Sequence, residues 1–171
     1  MDQEHLIFHE NDWVPNNAQL PVILYRHALP SGVRDAAERI EQLFARHGWP
    51  PDWRDGIYDY HHYHSTAHEA LGVVAGHARL MLGGPGGLTF AVKAGDALIL
   101  PVGTGHCCVE ASDNFLVIGA YPAGQDWDIC RTAPSAAMRA RMHDLPVPAQ
   151  DPVAGPDGDL VSLWKAPISP A

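Results

Sequence analysis

The sequence predicts an all-β domain, an antiparallel sandwich or barrel with few helices. Three observations carry this. Short apolar runs of strand length follow one another between residues 56 and 121. Turn chemistry separates them at near-even spacing, through Gly76, GGPGG at 83–87, Gly95, GTG at 103–105 and SDN at 112–114. Sixteen Gly and fifteen Pro punctuate the 171 residues, which suits many strands better than long helices.

Residues 1–55 hold N-terminal strands and one helix. LIF and LPVILYRHAL are strand-length runs parted by the turn signal PNN. Val33, Ala36, Ala37, Ile40, Leu43, Phe44 and His47 recur at three and four, so a helix over 33–47 is expected to pack outside the sheet. Ser31 is its expected cap, and Gly48 with Pro50 and Pro51 stops it. Residues 56–121 carry the strands GIYDYHHYH, EALGVV, ARLML, LTFAV, DALILP and FLVIGAYP. Residues 122–171 hold eight of the prolines, a short helix near Ser135–His143 and a PDG turn at 156–158. This tail is too apolar for a disordered segment and is expected to wrap the barrel or join a dimer contact. The length suits one domain over 1–171.

Composition excludes several function classes. The net charge is −9 and the eleven basic residues form no stripe, so neither nucleic acid nor an anionic membrane surface is an expected partner. No basic segment precedes an apolar run at the N-terminus, and no stretch is long enough for a membrane span. Cys107, Cys108 and Cys130 lack CxxC spacing and read as reduced thiols that pack as small hydrophobes, which points to the cytoplasm.

Chemistry concentrates in YHHYHSTAHEALGVVAGHA, residues 60–78. His62 and His64 stand two apart on an expected strand, so both imidazoles face one way, as a metal needs. Glu69 follows after small residues that let the chain turn. His61 is expected to face outward. Tyr58 and Tyr60 share the face of His62 and His64, where they either line a pocket or pack in the core. His68 neighbours Glu69 on the opposite face. It either replaces Glu69, lines the cavity or lies at the exposed turn; exposure or a supporting contact is the favoured reading. Downstream, GDALILPVGTGH delivers His106 after a Gly-rich bend.

The two segments together resemble the paired motifs of the cupin superfamily. G-x5-HxH-x4-E-x6-G is met by Gly56, His62, His64, Glu69 and Gly76. G-x5-PxG-x2-H-x3-N is met by Gly95, Pro101, Gly103 and His106, with Glu110 in place of the final Asn. The wider context resembles a family of uncharacterised single-domain bacterial cupins that carries no assigned reaction. The resemblance implies a double-stranded β-helix, a jelly-roll barrel, commonly a homodimer. It implies one divalent transition metal (Zn, Fe, Mn, Ni, Co or Cu) held by His62, His64, Glu69 and His106. Such a centre suits a dioxygenase or isomerase acting on a small oxygenated molecule, or a binding module without turnover. His68, Tyr60 and Glu110 are candidate proton-transfer residues.

Overall fold

A computed structural model describes residues 1–165. The chain runs β1 (Asp2–Phe8), β2 (Asn17–Arg26), α1 (Ala36–Arg46), β3 (Pro51–Asp55), β4 (Glu69–Ala75), β5 (His77–Leu82), β6 (Leu88–Lys93), β7 (Ala97–Leu100), β8 (His106–Ala111), β9 (Leu116–Ala120), α2 (Ala136–Asp144) and α3 (Asp159–Leu163). Six strands form one sheet in the order β1-β2-β7-β4-β9-β3, and three form another in the order β6-β5-β8. All pairings are antiparallel. The two sheets face one another as a jelly-roll barrel.

Period-2 alternation sorts each strand of the large sheet between two apolar layers. Leu24, Leu71, Leu98 and Val117 point inward and meet Leu80, Leu82 and Val92 of the small sheet. Their neighbours Ile23, Tyr25, Ala70, Ile99 and Ile118 point outward into a second layer. That layer is closed by Ile40 and Phe44 of α1 and by Val153, Leu160 and Trp164 of the C-terminal segment. Cys108 joins the inner core as a small hydrophobe. Ile40 and Phe44 lie four apart, the spacing that keeps one helix face on the sheet. Gly72 on β4 admits this close approach, since a Cβ there would stand 2.6 Å from the Ile40 side chain.

The α1 helix starts later than its periodicity suggests. Asp35, in the left-handed region at φ 56°, precedes the first turn without a side-chain cap, and Ser31 lies outside. The α2 helix has the cap expected of its sequence: the Met138 N–H donates to the Ser135 hydroxyl at 3.2 Å. The C-terminal segment is anchored by Asp151, fully buried, which accepts from the Tyr25 hydroxyl at 2.5 Å and from the backbone N–H groups of Val153, Ala154 and Leu160. Trp164 donates from its indole to the Pro21 carbonyl at 2.9 Å. The last six residues of the expected wrapping segment, 166–171, lie outside the described residues.

GIYDYHHYH is not a strand. Residues 56–68 run as a loop across the barrel end, held by two isolated bridges, His62 to His106 and Tyr63 to Cys130. The alternation is real, but its ladder partners are single residues rather than a neighbouring strand.

Candidate metal centre

The four side chains of the expected quartet reach the barrel interior from three pieces of backbone, the 56–68 loop, β4 and β8. Glu69 opens β4 and shares the inward parity of Leu71 and Val73. His106 opens β8 and shares the inward parity of Cys108. His62 is fixed to His106 by reciprocal backbone bonds of 3.2 and 2.9 Å. The carbonyl of His64 accepts from the Gly103 N–H at 2.9 Å, so the bend before His106 is tied to the histidine loop. That bend needs glycine at 103, where φ is +90°. Buried Asn16 braces it further: its side chain accepts from the Gly105 N–H and donates to the Gly83 carbonyl, both at 3.0 Å.

His62, His64 and His106 are all buried, and one nitrogen of each lies within 4.8 Å of the others. Backbone carbonyls set the ring orientations. His62 Nδ1 meets the Tyr60 carbonyl at 2.9 Å, His106 Nδ1 meets the Thr104 carbonyl at 3.0 Å, and His64 Nδ1 meets the Asp128 carbonyl. Each Nδ1 therefore carries hydrogen and donates, which directs the Nε2 positions to the shared centre. His64 Nε2 stands 3.1 Å from Glu69 Oε2, and His106 Nε2 stands 3.1 Å from Glu69 Oε1. The second approach is off-line for a hydrogen bond, so Oε1 is buried without a donor. Oε2 accepts from the Tyr121 hydroxyl at 2.6 Å, and that hydroxyl accepts in turn from the Trp53 indole at 2.9 Å.

Acceptors facing acceptors at a buried point require a cation between them, either a proton or a metal ion. The charges agree with this. Burial, reinforced by His106, pushes His62 down to about 3, so its imidazole is neutral at neutral pH. Burial also opposes charge on His64, but the Glu69 carboxylate outweighs it and raises His64 above the usual imidazole value. Burial of Glu69 is likewise outweighed, by His64 and then His106, which hold its carboxyl well below the usual range. Three imidazoles and one carboxylate with an unpaired oxygen are a donor set suited to a divalent transition metal.

The centre forms the floor of an open cavity of about 290 Å³. Its walls include Trp53, Ile57, Tyr58, Leu71, Trp127 and Ile129. Trp127 is fixed by a 2.7 Å hydrogen bond from its indole to Asp52 and by stacking on Tyr121. Asp128 clamps the same segment to the histidine loop, accepting from the Ser65 N–H at 2.6 Å and from the Ser65 hydroxyl.

The remaining sequence candidates lie elsewhere. His68 keeps the outward face expected from alternation, but it is completely buried, not exposed. Its Nδ1 accepts from the Val102 N–H at 3.0 Å, and its ring rests on Trp164, because the C-terminal segment covers that face. Burial pushes it down to about 4. Glu110 is exposed on β8 beside Arg79 and does not reach the cavity. Tyr60 stacks on Tyr58 beneath the Arg131 guanidinium and serves His62 through its carbonyl. His61 is half-buried, outside the cavity lining. Tyr121, Asp128, Trp53 and Trp127 were not legible as site residues. Position is the cue for three of them: residues 121–128 lead Tyr121, Trp127 and Asp128 straight out of β9, the strand beside Glu69, while Trp53 lies on β3, which pairs with β9.

No family model matches the chain. Two solved structures show limited similarity. Acireductone dioxygenase from Bacillus anthracis, with cadmium in its active centre, is 16% identical at a TM-score of 0.43, covering 64% of this chain and 83% of its own. A cupin 2 domain-containing protein from Halorhodospira halophila is 12% identical at 0.31, covering 82% and 74%. A Bacillus subtilis (strain 168) protein named "Uncharacterized protein YjlB" is 35% identical over 159 residues, 92% of this chain and 93% of its own. At that identity over nearly the whole of both sequences, this chain belongs to the family of YjlB.

Proposed function

We propose that this cupin holds one divalent transition metal through His62, His64, Glu69 and His106 and acts as a metal-dependent enzyme on a small oxygenated organic molecule, of dioxygenase or isomerase type. The observation that carries this is the buried, unpaired Oε1 of Glu69 among three imidazoles at the floor of an open cavity. A metal held there by His62, His64, Glu69 and His106 would supply Lewis acidity toward an oxygen ligand. The protein's own part is to fix the imidazole tautomers, hold Glu69 through Tyr121, and shield the floor with aromatic walls. The same reading takes residues 1–171 as one domain, working as a cytoplasmic homodimer. Among the described residues no helix is long and apolar enough to cross a membrane.

A binding or sensing role without turnover is the second reading. It is favoured by the position of the cavity's remaining groups: among the described residues, the one lining carboxylate beyond the quartet belongs to the exposed Asp55, and Tyr121 is committed to Glu69. The test is turnover by metal-loaded protein against dicarbonyls, sugars and phenols. Product formation that disappears in His62→Ala and His106→Ala supports the enzyme. Ligand-induced thermal stabilisation with no product supports the binder.

A further inference from the structure

The cavity gathers most of its polar groups at one end. The quartet occupies the floor, while Trp53, Ile57, Leu71, Trp127 and Ile129 supply apolar wall. Among the described residues no lysine or arginine lines it, and Asp55 is the one ionisable side chain on the lining besides the quartet and tyrosines. An anionic group placed away from the floor would therefore lose water without gaining a counter-charge. Two aromatic rings remain open to solvent at this site, Tyr58 at 50% exposure and Trp127 at 40%. Each flanks an imidazole: Tyr58 is 5.5 Å from the His62 ring and Trp127 is 6.0 Å from the His64 ring, centroid to centroid. Exposed aromatic surface beside a polar floor is the pattern of a site that buries an apolar ligand body. The cavity volume, about 290 Å³, lies just below the range of sites for drug-sized ligands, roughly 300–1,000 Å³, and so suits a small ligand.

We infer that the ligand of this pocket has one oxygen-bearing head and a compact, uncharged, ring-bearing body, with the head at the His62–His64–Glu69–His106 floor and the body against Trp127 and Tyr58. This rests on the metal reading above. A second anionic group at the far end is disfavoured, since among the described residues the lining offers it no cation and carries the Asp55 carboxylate.

The test uses three probes that share a metal-chelating head and differ in the body: acetohydroxamate, benzohydroxamate and 4-carboxybenzohydroxamate. Cobalt-loaded protein is titrated with each, followed by its visible absorption, with cobalt content measured separately. Benzohydroxamate is expected to bind at least about tenfold more tightly than acetohydroxamate, and the added carboxylate to abolish that gain. Trp127→Ala is expected to shrink the preference several-fold while cobalt content stays at one equivalent. Full cobalt content with equal affinities, or preference for the carboxylated probe, overturns the inference alone. A protein that retains no cobalt overturns the metal reading, and the inference with it.

Discussion

Asp128→Ala removes a side chain that touches no ligand atom, yet it is expected to weaken metal binding. The Asp128 carboxylate holds Ser65 through its N–H and hydroxyl, and the Asp128 carbonyl holds His64 Nδ1. Clamp and ring support thus reside in one residue. Hydrogen bonds to a charged group contribute about 1.5–3 kcal/mol each. Asp128 is half-buried, so water replaces part of that, and a loss of about 2–3 kcal/mol in folding stability is expected. Loss of the support behind a metal-bound histidine weakens affinity by about 10–100-fold, equivalent to about 1.4–2.8 kcal/mol. The assay pairs urea unfolding of metal-free protein with metal competition against a chromophoric chelator. Asp128→Asn keeps an oxygen for the Ser65 N–H and is expected to recover part of both losses. An unchanged metal affinity alongside lowered stability would refute the reasoning, because the clamp would then serve the fold and not the ring.

Two further outcomes are expected. Asp151→Ala leaves the Tyr25 hydroxyl, two buried N–H groups and the half-buried Ala154 N–H without their acceptor. At about 1–3 kcal/mol per unsatisfied group, urea unfolding should show a loss above about 3 kcal/mol; a loss below about 1 would contradict the anchoring role. The second concerns pH in the metal-free protein. The folded value of His64 is raised by Glu69, so its contribution to stability is full below the unfolded value, about 6.5, and lost as pH rises through the folded value. Glu69 is depressed, so its contribution is present above the unfolded value, about 4.3, and lost as pH falls through the folded one. Thermal scans with chelator should therefore show stability falling on the alkaline side of 6.5, and metal-loaded protein should not share that fall, since metal replaces the proton. Parallel pH profiles would count against it.

The barrel and the quartet were legible because both depend on local spacing. Glycine turns mark the strand ends, and parity along β4 and β8 sends Glu69 and His106 inward whatever the rest of the chain does. The His62–His64 pair was read on a strand that does not form, yet both rings still reach the centre, because backbone bonds to His106 and Gly103 set the loop. His68 shows where local reasoning ends. Its face followed from alternation, but its burial depends on Trp164, nearly a hundred residues away. Tyr121, Asp128 and Trp127 enter the site the same way, from the far end of β9, and their roles come from tertiary contacts that no short-range spacing encodes.

The most direct test of the metal centre is elemental analysis of protein purified without a His tag or chelator, beside the His62→Ala/His106→Ala double variant. About one equivalent of a transition metal per chain is expected in the first, with loss in the second. No metal in either, even after reconstitution with each candidate ion, would contradict a metal site at His62, His64, Glu69 and His106.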